Sequence, residues 1–189
     1  MPPKQKFNKE VILETAFQLV REQGIENLNA RSIARKLRSS IQPVFSYYET
    51  MADLKSDLFQ MAGDYHSSYF NNVETSEKLF LNIGMAYVDF AIAEPNLFKM
   101  LFMSNGFEGK GIYDFVSNDC NDHITSAIPE VFDKNKEKSI GIFTDMWLYA
   151  HGIASMAVMN QLSVERSEIE RMINNMFGLL VKDQVGGEK

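Results

Sequence analysis

A single cysteine, Cys120, stands among the 189 residues, so no internal disulfide can staple the chain and its stability must come from a packed core. Long apolar runs are missing too. The most apolar stretches, such as GIASMAVM at 152–159, fall far short of the roughly 18 residues that would cross a bilayer, so no membrane association is expected. The opening MPPKQKFNKE is polar and basic with no apolar core behind it. That is unlike a signal peptide, and it makes the cytoplasm the expected compartment. No glycine-rich phosphate loop, nucleophile elbow or H-E-x-x-H occurs, which removes the common signatures of nucleotide, acyl-transfer and zinc-hydrolase chemistry. Cys120-x-x-His123, with Asp119 and Asp122 alongside, offers one cysteine and one histidine without the second pair a zinc site needs, and the other histidines, His66 and His151, are far away in sequence. An enzyme is not expected, nor any metal or cofactor. Alternating apolar and polar residues of useful length, internal repeats and low-complexity tracts are absent as well.

What is present is a chain 45% hydrophobic, long enough to bury about 70% of its unfolded surface in one or two globular domains. Its charge is uneven. The net charge is −6, yet residues 1–60 hold nine Lys/Arg against seven Asp/Glu, leaving +2 there and −8 in the remainder. Between Arg31 and Tyr48 four basic residues, Arg31, Arg35, Lys36 and Arg38, occur without a single acid. A small basic end on a large acidic body suggests a head that binds an anion which the body avoids.

The periodicity is helical nearly throughout. Val11, Ile12, Ala16, Leu19 and Val20 recur at helical spacing and stop at Gln23-Gly24, where glycine suits a left-handed helix end. Asn29 is placed to cap a short helix through Leu37. Ser39 and Ser40 offer the next N-cap, with Pro43 in the first turn of a third helix that buries Val44 and Tyr48 and leaves Ile41, Gln42, Ser46 and Tyr47 on or near its exposed side. Thr50 and Asp53 open a fourth helix with Met51, Leu54, Leu58, Met61 and Tyr65 along one stripe, reaching to about Asn71 and roughly 30 Å long. Further helices are expected at Leu79–Ala93, in a short segment from Pro95, and at 112–128, with loops at 105–111 and 133–138. Residues 139–160 are apolar nearly all round, and 167–182 carry a stripe of Ile169, Met172, Ile173, Met176, Phe177 and Leu180. A helix with two apolar faces must bury both. One face can meet the core and the other a second subunit, which points to a two-fold dimer through Ile142, Met146, Tyr149, Ile153, Met172, Met176 and Leu180. Burial of both helices inside a monomer is the alternative.

Two short helices around a tight turn at Arg38-Ser39 have the helix-turn-helix plan, in which the second helix enters the DNA major groove. There the basic residues would release counterions from phosphates and a short polar side chain such as Gln42 would reach a base edge. Residues 7–60 resemble the N-terminal domain of the TetR family of transcriptional regulators. The resemblance is carried by REQGIENLNARSIARKL and SSIQPVFSYYETMADLKSDLF, with a helix, a glycine, a polar cap, Ile-Ala, and an aromatic-rich reading helix. More loosely, YVDFAIAEPNLFKMLF and WLYAHGIASMAVM resemble segments of the family's C-terminal domains. The resemblance implies an all-α homodimer that binds a palindromic operator on double-stranded DNA. A three-helix head (residues 1–50, with the helix-turn-helix at about 29–48) would be joined by a long fourth helix to a body (51–189) that dimerises and senses a small hydrophobic ligand, whose binding releases the DNA.

Carried over residue by residue, Arg31 looks like a phosphate or base contact and Ile41, Gln42 and Pro43 occupy reading positions. Phe45 and Tyr47 lie beside the backbone, and Arg35, Arg38, Ser40 and Lys55 complete the expected DNA-facing set. Four positions depart from the family pattern: Arg38 stands where glycine is common, Ser39 where a buried valine is, Phe45 where a tyrosine touches phosphate, and Met51 where a lysine opens the fourth helix. These departures keep open a second function, a helical ligand- or protein-binding dimer whose head has lost operator recognition. For the ligand, Phe90, Phe98, Phe102, Met103, Phe107, Tyr113, Phe115, Trp147 and His151 together with 11 methionines suit a soft apolar cavity. The same residues also suit a plain core, and His151, one turn from Trp147, is the polar group to follow.

Overall fold

The computed structural model of the chain describes residues 7–71, 73, 78–104, 136–159 and 163–185. The helix expected at 112–128, the loop at 105–111, and Phe107, Tyr113, Phe115, Cys120 and His123 lie outside these. The described residues form eight α-helices and no strand. They are α1 (Lys9–Gln23), α2 (Ala30–Lys36), α3 (Gln42–Tyr47), α4 (Met51–Ser68), α5 (Leu79–Ala93), α6 (Pro95–Phe98, continued by a π turn over Lys99–Met103), α7 (Lys136–Val158) and α8 (Arg166–Val185), with a 3-10 turn at Ile25–Asn27. The lysine-rich segment expected to be a loop through 138 is already helical from Lys136. The fourth helix ends at Ser68, short of Asn71; its 18 residues span about 27 Å.

By packing, one unit takes Met1–His66 with Glu94–Gly106, and the other Ser67–Ala93 with Phe107–Lys189. In the first unit each helix end follows from local chemistry. Asn8 Oδ1 accepts from Val11 N at 2.9 Å to cap α1, and Gly24, at φ 84°, ends it in the left-handed region where a side chain would be strained. Asn29 and Ser32 form a reciprocal capping box on α2, and Thr50 with Asp53 forms one on α4. The core beneath these caps is Ile12, Ala16, Phe17, Leu19, Val20, Ile33, Ala34, Val44, Tyr48, Leu54, Leu58 and Ala62. Val11, read as part of the apolar stripe of α1, is instead exposed, because the inward face runs through Ile12, Ala16 and Leu19.

The second unit packs α5 against α7 and α8. α5 is buried on nearly every side, through Leu79, Phe80, Ile83, Gly84, Tyr87, Val88, Phe90 and Ala91. Gly84 is needed where α8 crosses it, since a Cβ there would stand 3.1 Å from Ile173 Cγ2. Phe80 stacks on Phe177 at 5.1 Å between ring centroids and meets Phe143 edge-on at 6.2 Å. On the surface of this unit Arg166 donates to both carboxylate oxygens of Asp89, at 3.2 and 2.8 Å.

Candidate nucleic-acid interface

The turn between α2 and α3 is built around a residue the sequence made suspect. Ser39 N donates to Ala34 O at 2.9 Å and Arg38 N to Arg35 O at 3.1 Å, the paired bonds that close a helix when the residue after its cap is left-handed. That residue is Arg38, at φ 51°. The turn that glycine commonly makes is therefore kept by an arginine, at about 1–2 kcal/mol of steric cost. Ser39 and Ser40 do not cap α3 as the sequence suggested. Ser39 Oγ donates to the Ser40 carbonyl, and the N-cap position is Ile41, which makes no side-chain cap. Pro43 in the first turn, with no N–H to satisfy, eases that uncapped start.

Two tyrosines hold α3 in place. Tyr48, at its C-terminal end, is buried and donates its hydroxyl to Asp57 Oδ2 at 3.2 Å. Asp57 in turn pairs with Lys9 Nζ at 2.7 Å, and Lys9 sits 5.1 Å from the Tyr48 ring centroid. Burial first, and then the neighbouring Asp57 charge, pushes the Tyr48 hydroxyl up to about 12, so it stays a donor at any physiological pH. The hydrogen bond from Lys9 holds the Asp57 carboxyl below its usual range. Tyr47 is half-buried and donates to the Phe7 carbonyl at 2.9 Å. Its hydroxyl proton is thus engaged within the first unit.

With α3 anchored, the expected DNA-facing residues fall as follows. Arg31 and Arg35, one turn apart on α2, are exposed, as are Arg38, Ser40, Ile41, Gln42 and Phe45; Pro43 and Lys55 are half-exposed. No acid among the described residues pairs with Arg31, Arg35 or Arg38. Lys36 drops out of the basic patch, because its Nζ bonds both carboxylate oxygens of Glu22 on α1, at 2.6 and 2.7 Å. The patch is thus three arginines beside α3, a helix without charged side chains. Replacing Arg38 by glycine is expected to raise thermal stability by about 1 kcal/mol, through relief of the left-handed strain. The same change is expected to lower the salt dependence of DNA binding by about one phosphate contact per head; melting curves and a salt titration measure the two effects.

The described residues expected to form a ligand pocket have the following neighbours. In the first unit Phe98 is fully buried, Phe102 packs on it at 5.2 Å and meets His66 at 5.1 Å, and Met103 is exposed. Burial pushes the His66 imidazole down to about 4, which keeps it neutral at pH 7. In the second unit Phe90 meets Tyr69 at 5.1 Å, while Trp147 stacks on His151 at 5.1 Å. His151 Nδ1 is 2.8 Å from the Tyr87 hydroxyl, and burial pushes its imidazole down as well. His151 is thus a half-buried histidine with a hydrogen-bond partner. An open groove of about 440 Å³ on this unit is lined by Tyr69, Leu81, Met85, Asp89, Arg166 and Glu170 among others, and by none of the expected pocket residues. Among the described residues no His, Cys, Asp and Glu cluster could hold a metal, and no helix is long and apolar enough to cross a membrane.

The residues expected at a dimer interface divide as well. Ile142, Met146 and Ile153 are buried within the chain itself, and Tyr149, Met172, Met176 and Leu180 are half-exposed. Exposed on α7 are Leu148, Gly152 and Met156, followed by Met159 just past its end, and on α8 Leu179 is 65% exposed. A Cβ added at Gly152 would meet nothing within 4 Å. The chain covers both apolar stripes of α7, Phe143, Trp147, Ala154 and Val158 as well as Ile142, Met146 and Ile153, so the exposed side is a further one.

Neither a protein-family model nor a curated protein matches the chain. Solved structures do. A member of the TetR family from Streptomyces coelicolor A3 aligns at a TM-score of 0.63 over 88% of this chain and 96% of its own, with 11% identity. A TetR transcriptional regulator from Rhodococcus sp. RHA1 aligns at 0.60 over 92% and 96%, with 14% identity. At such identities the likeness is one of fold: the chain has the all-α fold of TetR-family regulators.

Proposed function

We propose that this chain is a DNA-binding transcriptional regulator of the TetR kind, a dimer whose heads grip a palindromic operator and which a small hydrophobic ligand releases. One observation carries the reading: three arginines with no acid partner among the described residues, Arg31, Arg35 and Arg38, flank a short helix locked in place by Tyr47 and Tyr48. Unpaired cations on a rigid frame suit phosphates, and an exposed uncharged helix beside them suits base edges. The fold shared with two regulators supports it. The homodimer would use the outward face of α7 and α8. Leu148, Gly152, Met156 and Met159 recur every three or four residues, and a second copy of the same stripe covers them by two-fold symmetry. Repression, with release by ligand, is the mode this arrangement serves best, because two heads held about 34–36 Å apart lose both contacts when their spacing changes.

The test is titration of the purified protein against a fluorescent duplex from upstream of its own gene, at several salt concentrations, beside a scrambled duplex. Tight, sequence-dependent binding that weakens steeply with salt is expected. Equal and weak binding to both, followed by a randomised-library selection that recovers no motif, would leave the other reading standing: a helical binding dimer without an operator.

A further inference from the structure

The reading helix carries information about its own target. Between Ser40 and Tyr47 there is no charged side chain. The strongest contact to guanine, bidentate Arg or Lys on O6 and N7, is therefore not available from α3. Two of its polar side chains are already engaged. Ser46 Oγ donates to the Gln42 carbonyl at 2.9 Å and Tyr47 donates to the Phe7 carbonyl. Ser40 bonds to any base and discriminates little. What remains is Gln42, exposed and with no side-chain hydrogen bond to a described residue, whose amide matches N6 and N7 of adenine. Beside it stand Ile41, 44% exposed, and Phe45, 46% exposed, one helical turn apart. Two large apolar side chains exposed side by side next to the arginines gain from an apolar surface that covers both. In the major groove that surface is the C5 methyl of thymine.

We propose that the head reads A·T base pairs, with Gln42 on an adenine and Ile41 and Phe45 against thymine methyl groups, so that the core of each operator half-site is A·T. This rests on the reading of the chain as an operator-binding protein. Arg35 and Arg38 supply charge that holds the helix on phosphates, which carry no sequence information; a base contact by Arg31, which stands on α2, would fall outside the core that α3 covers.

The experiment uses the full chain. Its preferred duplex is recovered from a randomised library, and each thymine of the half-site core is then replaced in turn by deoxyuridine, which removes only the methyl group. Each contacted methyl should be worth about 3- to 4-fold in affinity, the value of one buried methylene-sized group. In Ile41→Ala and Phe45→Ala variants the corresponding replacement should become neutral. Gln42→Ala should lose about 5- to 150-fold together with the preference for adenine at its position. A recovered core of G·C pairs, or affinity for the wild-type protein unchanged by every deoxyuridine replacement, would overturn the proposal while leaving a sequence-specific regulator in place. Recovery of no motif at all would remove both.

Discussion

Changing Arg31 and Arg35 together to glutamate is expected to reduce operator affinity by about a thousandfold at about 0.15 M salt, with the melting temperature almost unmoved. The size follows from counterion release. Each phosphate neutralised adds about 0.9 to the slope of log affinity against log salt. Two residues on two heads remove four such contacts, a slope change of about 3.6. If binding at 1 M salt is left as it was, carrying that change down to about 0.15 M gives a loss near three orders of magnitude. Repulsion by the new glutamates adds to it. The fold should tolerate the change, because both side chains are exposed and neither is paired to an acid among the described residues. Lys36→Gln is the control. Its ammonium is held by Glu22 on α1, an exposed pair worth about 0–1 kcal/mol, and its loss should leave the salt slope of DNA binding nearly unchanged. A salt titration of wild type and both variants measures all three slopes, and equal slopes would show that the α2 arginines do not face phosphate.

That contrast between Lys36 and its neighbours shows where the sequence could and could not be read. Arg31, Arg35, Lys36 and Arg38 look alike in a count of charges. Only the fold brings Glu22, fourteen residues earlier, onto Lys36. Local features were legible because their causes are local: the Asn29 and Thr50 caps, the end of α1 at Gly24, and the inward Val44 and Tyr48; the left-handed turn was not, because an arginine stands where glycine would have marked it. Features that depend on which helix covers which were not. On α7 the fold buries Ile142, Met146 and Ile153 as well as Phe143, Trp147 and Val158, and leaves Leu148 and Met156 exposed. Of the aromatics expected in a pocket, Phe98 and Phe102 pack on each other in the unit of α1, and Phe90, Trp147 and His151 belong to that of α5. No pattern in the chain marks Arg21 and Glu94 as partners, since 73 residues separate them.

That pair carries the largest expected effect on stability. Glu94 is 7% exposed and stands just before α6, where it accepts from Arg21 Nε at 2.8 Å, from Arg21 Nη2, and from the Tyr65 hydroxyl at 3.1 Å. The guanidinium also lies over two rings, 5.8 Å from Phe17 and 5.3 Å from Tyr65, and the Arg21 carbonyl accepts from Asn96 Nδ2 at 2.8 Å. One arginine thereby ties together α1, α4 and the start of α6 within a single unit. Arg21→Met keeps much of the packing but leaves a buried carboxylate with only a tyrosine donor, which is expected to cost about 3 kcal/mol, or about 6–12 °C in melting temperature for a chain of this size. Glu94→Gln should cost less, about 1 kcal/mol, because the guanidinium is partly exposed and water can take up what the amide does not. The double variant should lose less than the two single losses combined, since the penalty in the first belongs to the unpaired acid. Melting curves of the three variants measure this, and an Arg21→Met loss no larger than that of Glu94→Gln would show that burial of Glu94 is not what makes the pair costly to break. Below its lowered melting temperature Arg21→Met should keep the wild-type salt slope for DNA, the reverse of the Arg31 and Arg35 result. An arginine that holds the head together and arginines that hold the DNA are thus separable by which of two curves moves.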